Sequence, residues 1–155
     1  MIVRSVKPKL YLIRGCSGSG KTTLAKEIAL LYRGIYDEDQ IAFVETDQFF
    51  YNEKGEYEFV DSKLNLYHRC CYETVRSSMT GNVPVIILSN TNCRNKDLKE
   101  YVALAEVYSY DVISLVVEHR HHGVNGHGVD RELLLKQANQ LRGSLKLTNV
   151  EKEKQ

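Results

Sequence analysis

Short apolar runs alternate along this chain with longer segments in which apolar residues recur at helical spacing. The runs at 10–13, 41–45, 83–88 and 112–117 predict four strands. Two of them are continuous apolar runs, and VPVIIL has the composition of a strand buried on both faces. Strands that alternate with helices are typical of an α/β fold, in which a parallel sheet has helices on both faces.

The helical segments are expected at 22–32, from about 61 to 80, at 96–108 and from about 130 to 141. Gly34 and Gly81 are natural stops for the first two. Segment 48–60 is aromatic, charged and interrupted by a glycine, which indicates a long loop or a small hairpin. The residues expected to face the core are Leu24, Ile28 and Leu31 in the first helix, Leu64, Tyr67, Cys71 and Val75 in the second, and Leu98, Val102 and Ala105 in the third.

Composition adds limits to this α/β prediction. With 155 residues, 43% of them hydrophobic, residues 1–150 are expected to form a single domain, followed by a charged tail at 151–155. The net charge of +1 predicts that any nucleic-acid contact is short and local. Four cysteines without a C-x-x-C pair favour reduced thiols. No segment has the pattern of a signal peptide or a membrane span, so we expect a soluble, cytoplasmic protein without membrane contact.

Each predicted strand is followed by a polar segment, at 15–22, 46–50, 89–95 and 118–128. In open parallel sheets, ligands bind at the carboxyl ends of the strands. The sequence therefore predicts one binding site built from these four segments.

The first of these segments matches the phosphate-binding consensus G-x-x-x-x-G-K-[ST] without a departure. Its glycines allow successive backbone N–H groups to point at an anion, and the helix that follows adds a positive dipole. Lys21 is expected to reach the β- and γ-phosphates of ATP, and the Thr22 hydroxyl to bind Mg²⁺. The predicted nucleotide-binding residues are Gly15, Cys16, Ser17, Gly18, Ser19, Gly20, Lys21, Thr22 and Thr23.

Asp47 closes the second predicted strand and would face this phosphate site. Phosphoryl transfer to a hydroxyl needs a group that accepts the hydroxyl proton and aims the oxygen, and a carboxylate at this place would serve. The alternative is that Asp47 only caps a strand-to-loop turn.

The turn after the third strand carries Ser89, Asn90, Thr91 and Asn92. Many phosphate-binding enzymes have an aspartate there that helps to hold Mg²⁺, whereas Ser89 contributes no charge. Asn90, Thr91 and Asn92 are candidates to position the substrate or a water molecule. Alternatively, this turn serves only to cap the next helix.

These pieces together resemble the P-loop kinases of the polynucleotide 5′-hydroxyl kinase type, over residues 10 to about 141. The resemblance rests on LYLIRGCSGSGKTTLAK, TDQFF, the strand, T-N turn and helix within VIILSNTNCRNKDLKEYVALAEVYSYDVISLVVE, and NGHGVDRELL. It implies a P-loop fold with a short lid, ATP and Mg²⁺ bound by Lys21 and Thr22, and Asp47 as the general base. It further implies that Asn90 lies near the acceptor and that Arg120, in the lid, stabilises the transferring phosphate.

Two positions depart from the family pattern. Phe50 stands three residues after Asp47, where such kinases often have an arginine that contacts the acceptor's phosphate, and Ser89 replaces the acid of some relatives. The first departure bears on the polynucleotide acceptor and not on the kinase chemistry. Phe49, Phe50 and Tyr51 are either a stacking platform for an unpaired strand or part of the core.

The segment EHRHHGVNGHG, at 118–128, has two interpretations. As a lid with glycine hinges, it would bring Arg120 to the phosphates. As a zinc site, it would use His119, His121, His122 and His127, but the spacing and the lack of a nearby cysteine make the lid the preferred interpretation.

The sequence thus predicts a kinase that transfers the γ-phosphate of ATP to the 5′-hydroxyl end of RNA or DNA. Asp47, Phe50, Asn90, Thr91 and Asn92 would contact the acceptor. Two alternatives stay open: a kinase for a nucleoside-like small alcohol, and a non-catalytic switch protein that binds ATP and reports its presence to a protein partner.

Overall fold

The computed structural model describes residues 6–121 and 128–145. Its centre is a four-stranded parallel sheet in the spatial order β2-β3-β1-β4, and its strands coincide with the four predicted ones to within about two residues. Their bounds are β1 Lys9–Arg14, β2 Ile41–Val44, β3 Val85–Ser89 and β4 Asp111–Val116.

The register of the sheet aligns the carboxyl ends of the strands. Ile13 of β1 pairs with Ser89 of β3 on one side and with Leu115 of β4 on the other. Val44 of β2 pairs with Leu88 of β3. Because all pairs are parallel, the polar segments after the four strands emerge at the same edge, as the sequence predicted.

In the part of the chain that the structure describes, four α-helices surround the sheet, again close to the predicted segments. They are α1 Lys21–Tyr32, α2 Leu64–Thr80, α3 Asn95–Tyr108 and α4 Arg131–Ser144. Segment 48–60 contains the end of a 3-10 helix, Thr46–Phe50, and then a turn closed by a single antiparallel bridge between Tyr51 and Tyr57. This is the small hairpin among the two alternatives for that segment. None of the described helices is long and apolar enough to cross a bilayer.

Alternating side chains of the strands build a core on each face of the sheet. Ile13, Val85 and Ile87 pack with Ala25 of α1 on one face. On the other face lies a larger cluster that joins the sheet to α2 and α3. Its buried members are Leu10, Leu12, Val44, Cys71, Val75, Met79, Ile86, Leu88, Tyr101, Leu104, Ala105 and Tyr110.

Two of the residues predicted to face the core are exposed instead. Leu31 is 77% exposed, since Tyr32 occupies the inner position in the last turn of α1, where its hydroxyl lies 2.6 Å from that of Tyr11. Val102 is 43% exposed, because Tyr101 and Ala105 take the inner face of α3. Periodicity places the inner face of a helix only to within about one position, so these two assignments were wrong.

The core makes a test of stability possible. Ile87→Ala removes methyl and methylene groups from a fully buried position of β3, so the free energy of unfolding is expected to fall by about 2–5 kcal/mol. Leu31→Ala, at an exposed position, should change it by less than about 0.5 kcal/mol. Urea unfolding followed by circular dichroism measures both. Equal effects of the two variants would mean that the described packing is wrong.

Candidate active site

A cavity of about 630 Å³ opens at the carboxyl edge of the sheet. Its volume is in the range of pockets that hold a small ligand. All four polar segments contribute to it, through residues such as Lys21, Asp47, Asn90 and His121, and α4 adds Leu133 and Gln137. The structure therefore brings together the site that the strand ends predicted.

The phosphate-binding loop has the backbone that its glycines were expected to allow. Gly18 and Gly20 have φ of +76° and +98°, in the left-handed region where a side chain is strained. Gly20 is also the N-cap of α1, so the helix dipole points into the cavity. A Cβ atom at Gly20 would lie 3.3 Å from the Nε2 atom of His121, so the loop is also closely covered from the lid side.

Of the nine predicted nucleotide-binding residues, six line the cavity, and three do not. Ser19 is buried beneath the loop, and Gly15 and Cys16 lie at its start, away from the cavity wall. The backbone of Cys16 still contributes to the site, because its carbonyl oxygen accepts a hydrogen bond from Lys21. The six that line the cavity are Ser17, Gly18, Gly20, Lys21, Thr22 and Thr23.

Lys21 lies in the wall of the cavity, with its Nζ atom 2.9 Å from the carbonyl oxygen of Cys16. Burial lowers the pKa of its ammonium group, while the nearby carboxylates of Asp47 and Glu45 act in the opposite direction. A desolvated ammonium near a cradle of N–H groups is suited to bind a phosphate oxygen.

Glu45 is a site residue that the sequence analysis missed. Its Oε2 atom accepts a hydrogen bond of 3.0 Å from the Thr22 hydroxyl, so it ties the end of β2 to the start of α1. Thr22 and Asp47 line the cavity, while the Glu45 carboxylate lies behind the Thr22 hydroxyl and does not line it. Mg²⁺ prefers hydroxyl and carboxylate oxygens of this kind as ligands. The donor set therefore fits Mg²⁺. The available signal was the position of Glu45, directly after an apolar run and two residues before Asp47.

Asp47 lies in the cavity wall within the 3-10 helix that follows β2. Its Oδ1 atom accepts a hydrogen bond of 3.2 Å from the hydroxyl of Tyr57, on the far side of the hairpin. Burial and the negative charge of Asp47 raise the pKa of Tyr57 to about 12, so the phenol stays protonated at neutral pH and keeps donating. Tyr57 was also missed, because only the hairpin brings it back to Asp47.

The turn after β3 holds the site together, and two of its residues reach the cavity beside Ser89 at the end of β3. Asn90 and Thr91 line it, and the Oδ1 atom of Asn90 accepts hydrogen bonds of 2.8 Å from both the backbone N–H and the hydroxyl of Thr46. This fixes the residue before Asp47. The alternative role as a helix cap is wrong, since α3 is capped by Arg94 and Asp97.

Asn92 does not contact the cavity. Its side chain is buried, and its backbone oxygen accepts a hydrogen bond of 3.2 Å from Nε of Arg14. The same guanidinium donates to the Ser144 hydroxyl, so Arg14 fastens the end of α4 to β1. The structure therefore assigns Asn92 a structural position, away from the predicted contact with substrate.

Phe50 is buried in the core, which is one of the two roles that the sequence left open for the aromatic residues. It is 3% exposed and does not line the cavity. Its ring packs against Phe59 and Tyr67, with centroids 4.9 and 4.7 Å away. Direct contact with an acceptor would need this ring to leave the core, so the predicted contact through Phe50 is not supported.

The described part of the lid places Arg120 outside the cavity. Its guanidinium is exposed and pairs with Glu118. Of the described lid residues, His121 and Gly128 line the cavity, and Nε2 of His121 lies 3.1 Å from the Ser19 carbonyl oxygen. His122 and His127 lie outside the described residues. Within the described ranges, no group of three or more His, Cys, Asp or Glu side chains is placed to hold a metal ion.

Helix α4 closes the cavity on the side of the phosphate-binding loop. Gln137 accepts a hydrogen bond of 2.9 Å from the backbone N–H of Ser17 and donates one of 3.2 Å to its hydroxyl. Asp130 caps α4 by accepting from the N–H of Leu133 at 2.8 Å. Gln137 was not predicted, because no local pattern marks a glutamine that meets a loop 120 residues earlier.

Known proteins with similar sequences or structures share the fold described above. A family described as "AAA domain" matches residues 10–132. Human NEDD4-binding protein 2 is 31% identical over 104 residues, which are 67% of this chain and 6% of that protein. The structure of a Pnkp1/Rnl/Hen1 RNA repair complex contains a chain with 20% identity and a TM-score of 0.65, over 92% of this chain and 47% of that one.

A third similar protein is Kti12 of Chaetomium thermophilum, solved with ADP-AlF3. It is 13% identical with a TM-score of 0.56, over 84% of this chain and 79% of that one. Both structural likenesses show the fold of P-loop kinases and related proteins. The chain spans 6% of the human relative and about half of the Pnkp1 complex chain.

Proposed function

Since the chain belongs to the AAA-domain family and has the fold of P-loop kinases, we propose that it transfers the γ-phosphate of ATP to a hydroxyl. The observation that carries this proposal is the shared cavity of Lys21 and Asp47. A nucleotide-binding protein without transfer needs the phosphate cradle and a Mg²⁺ site, but it does not need a base for an acceptor hydroxyl. Here a carboxylate also faces the phosphate site, where an acceptor hydroxyl would meet it.

The transfer step follows from this arrangement. The backbone N–H groups of the loop and the Lys21 ammonium bind the phosphates of ATP. Thr22 would hold Mg²⁺ with support from Glu45, and the bound ion would neutralise phosphate charge. The acceptor oxygen attacks the γ-phosphorus as the bond to the β-phosphate oxygen breaks, and Asp47 takes the hydroxyl proton. ADP and a phosphate monoester leave.

Tyr57 and Asn90 act through Asp47 in this scheme. Tyr57 donates to Oδ1 of the carboxylate, and Asn90 fixes Thr46, the residue before Asp47. Arg120 is proposed to stabilise the transferring phosphate, and it would reach that phosphate only after release from Glu118. Positioning of this kind is the main contribution that a protein makes to phosphoryl transfer.

We propose the 5′-hydroxyl end of RNA or DNA as the acceptor. The TDQFF segment and the T-N turn after β3, which resemble polynucleotide 5′-hydroxyl kinases, support this choice, and Asp47, Asn90 and Thr91 all line the cavity. The fold shared with a chain of the Pnkp1/Rnl/Hen1 RNA repair complex is consistent with it. A compartment with ATP and reduced thiols, such as the cytoplasm, suits this activity.

A direct assay tests the proposal. The protein is incubated with γ-labelled ATP, Mg²⁺ and a 5′-hydroxyl oligonucleotide, with RNA, DNA and free nucleosides in separate reactions. Label on an acceptor is the expected result, and its identity decides between a polynucleotide and a small alcohol. ATP binding without label on any acceptor would overturn the kinase proposal in favour of an ATP-binding switch.

Glu45→Gln tests the role of the carboxylate behind Thr22. The amide keeps the shape but loses the negative charge, so the Mg²⁺ concentration for half-maximal transfer should rise by about 10–100-fold. Measuring the transfer rate as a function of Mg²⁺ concentration gives this half-maximal concentration. The matched control is Glu27→Gln, an exposed glutamate on α1, which should leave the titration unchanged. An unchanged titration for Glu45→Gln would remove this residue from the magnesium site.

A further inference from the structure

One side of the cavity, next to Asp47, is a wall of aromatic and apolar side chains. It consists of Tyr57 and Phe59 from the hairpin and Leu64 and His68 from the first turns of α2, and we call these four residues the acceptor wall. Tyr57 joins the wall to the reacting centre through its hydrogen bond to Asp47. The wall therefore lies beside the place where the accepting hydroxyl must bind.

The ring of Phe59 is exposed, and a buried ring supports it. Phe59 is 52% exposed although it lines the cavity, and Phe50 packs against it with a centroid distance of 4.9 Å. Phe50 is in turn packed edge-on against Tyr67 of α2. An exposed aromatic ring held in place from behind is a surface on which a flat ring of a ligand can stack.

The acceptor wall carries no permanent charge. Leu64 and His68 lie one turn apart on α2, and burial lowers the pKa of His68, so its imidazole is neutral at pH 7. Tyr57 stays protonated, as described above. This wall thus offers flat, uncharged surface and a few hydrogen-bonding atoms, and it lacks a fixed cation.

The rest of the described lining offers little to a second anion. Lys21 is the one lysine or arginine among the cavity-lining residues that the structure describes, and the phosphates of ATP require it. Asp47 and Asp130 add negative charge to the same lining. Among the described lining residues, a phosphodiester next to the accepting hydroxyl would therefore find no cation besides Lys21, and nucleic-acid affinity depends on such partners.

We propose that the acceptor wall binds a planar, uncharged ring attached to the accepting hydroxyl, as in a terminal nucleoside, and that the phosphate following this nucleoside contributes little. The proposal rests on the proposed kinase function, and it states which part of the acceptor the protein recognises. A free nucleoside and the 5′ end of an oligonucleotide share this chemistry. Both should be accepted with similar KM values, and salt should have little effect on either.

The first experiment compares acceptors in the transfer assay at 50 and 200 mM KCl. The KM for a free nucleoside and for a 5′-hydroxyl oligonucleotide should agree within about threefold and shift less than about twofold with salt, because no phosphate contact is formed. A hydroxyl compound without a base, such as ribose, should be a poor acceptor. An oligonucleotide KM at least tenfold lower, rising steeply with salt, would overturn the proposal.

The second experiment removes the stacking ring. Phe59→Ala should raise the KM of either acceptor by about 5–150-fold, whereas the KM for ATP stays constant. Phe59→Trp keeps a stacking surface and should restore acceptor binding. Leu66→Ala, an exposed apolar residue of α2 that does not line the cavity, is the matched control and should bind acceptors normally. Circular dichroism confirms that each variant is folded.

A binding measurement separates failure of this proposal from failure of the kinase function. Calorimetry with a non-hydrolysable ATP analogue present measures the binding of a nucleoside and of its 3′-monophosphate without turnover. Equal affinities that fall together in Phe59→Ala support the acceptor wall, even if no transfer occurs. If transfer did not change in Phe59→Ala, or if no nucleoside bound, the proposed role of the acceptor wall would be wrong. The kinase function would still be tested separately, by the label-transfer assay.

Discussion

Asp47→Asn is expected to lower kcat by about 10²–10⁴-fold, which is the usual contribution of a positioned general base. The amide keeps the size of the side chain and can still contact Tyr57, but it does not accept the hydroxyl proton. Binding of ATP should stay nearly intact, because the phosphates contact the loop and Lys21. Transfer kinetics together with a nucleotide-binding titration measure both effects.

The matched control for this variant is Asp61→Asn. Asp61 is an exposed aspartate in a 3-10 helix on the same stretch of chain, and it does not line the cavity. Its kcat should equal that of the unmodified protein. If Asp47→Asn retained full turnover, Asp47 would not be the base, and the carboxylate of Glu45 would be the next candidate.

Lys21→Ala is expected to reduce kcat/KM for ATP by about 10²–10³-fold, as found when one preorganised donor to developing charge is lost. The ammonium is largely desolvated in the cavity wall, so its electrostatic contribution is larger there than in water. The same variant should weaken ATP binding, which distinguishes it from Asp47→Asn. Label transfer and equilibrium binding of ATP are the two measurements.

Lys26→Ala serves as its control, since Lys26 is an exposed lysine on the same helix. It removes an equal charge from α1 and should leave transfer and binding unchanged. If Lys26→Ala lost as much activity as Lys21→Ala, the loss would be due to the overall charge of α1 and not to a specific contact between Lys21 and phosphate.

The fold could be predicted from the sequence because its signals are local. A buried strand such as β3 needs a continuous apolar run, and the turn after β1 needs glycines and a lysine at fixed spacing. Parallel pairing then forces the strand ends to one edge, so Lys21, Asp47 and Asn90 could be assigned to one site before any coordinate was known. The family resemblance added roles for these residues.

Other site residues could not be found in this way. Tyr57 meets Asp47 because a hairpin folds back, and Gln137 reaches Ser17 from the last helix. Neither contact leaves a periodic pattern or a motif in the sequence. Phe50 shows the opposite case, since an aromatic residue three positions after Asp47 was a candidate for stacking until its burial placed it under Phe59.

The sequence by itself therefore determined the parallel α/β architecture, the phosphate cradle and the carboxylate that faces it, since local spacing and strand polarity are sufficient for these. Only the tertiary structure decided which side chains surround the cavity beside Asp47. That surface is assembled from the hairpin, α2, α4 and the turn after β3, and long-range packing alone determines which atoms of these elements meet. The charge and shape of this part of the cavity, and with them the proposed acceptor, depend on the tertiary structure.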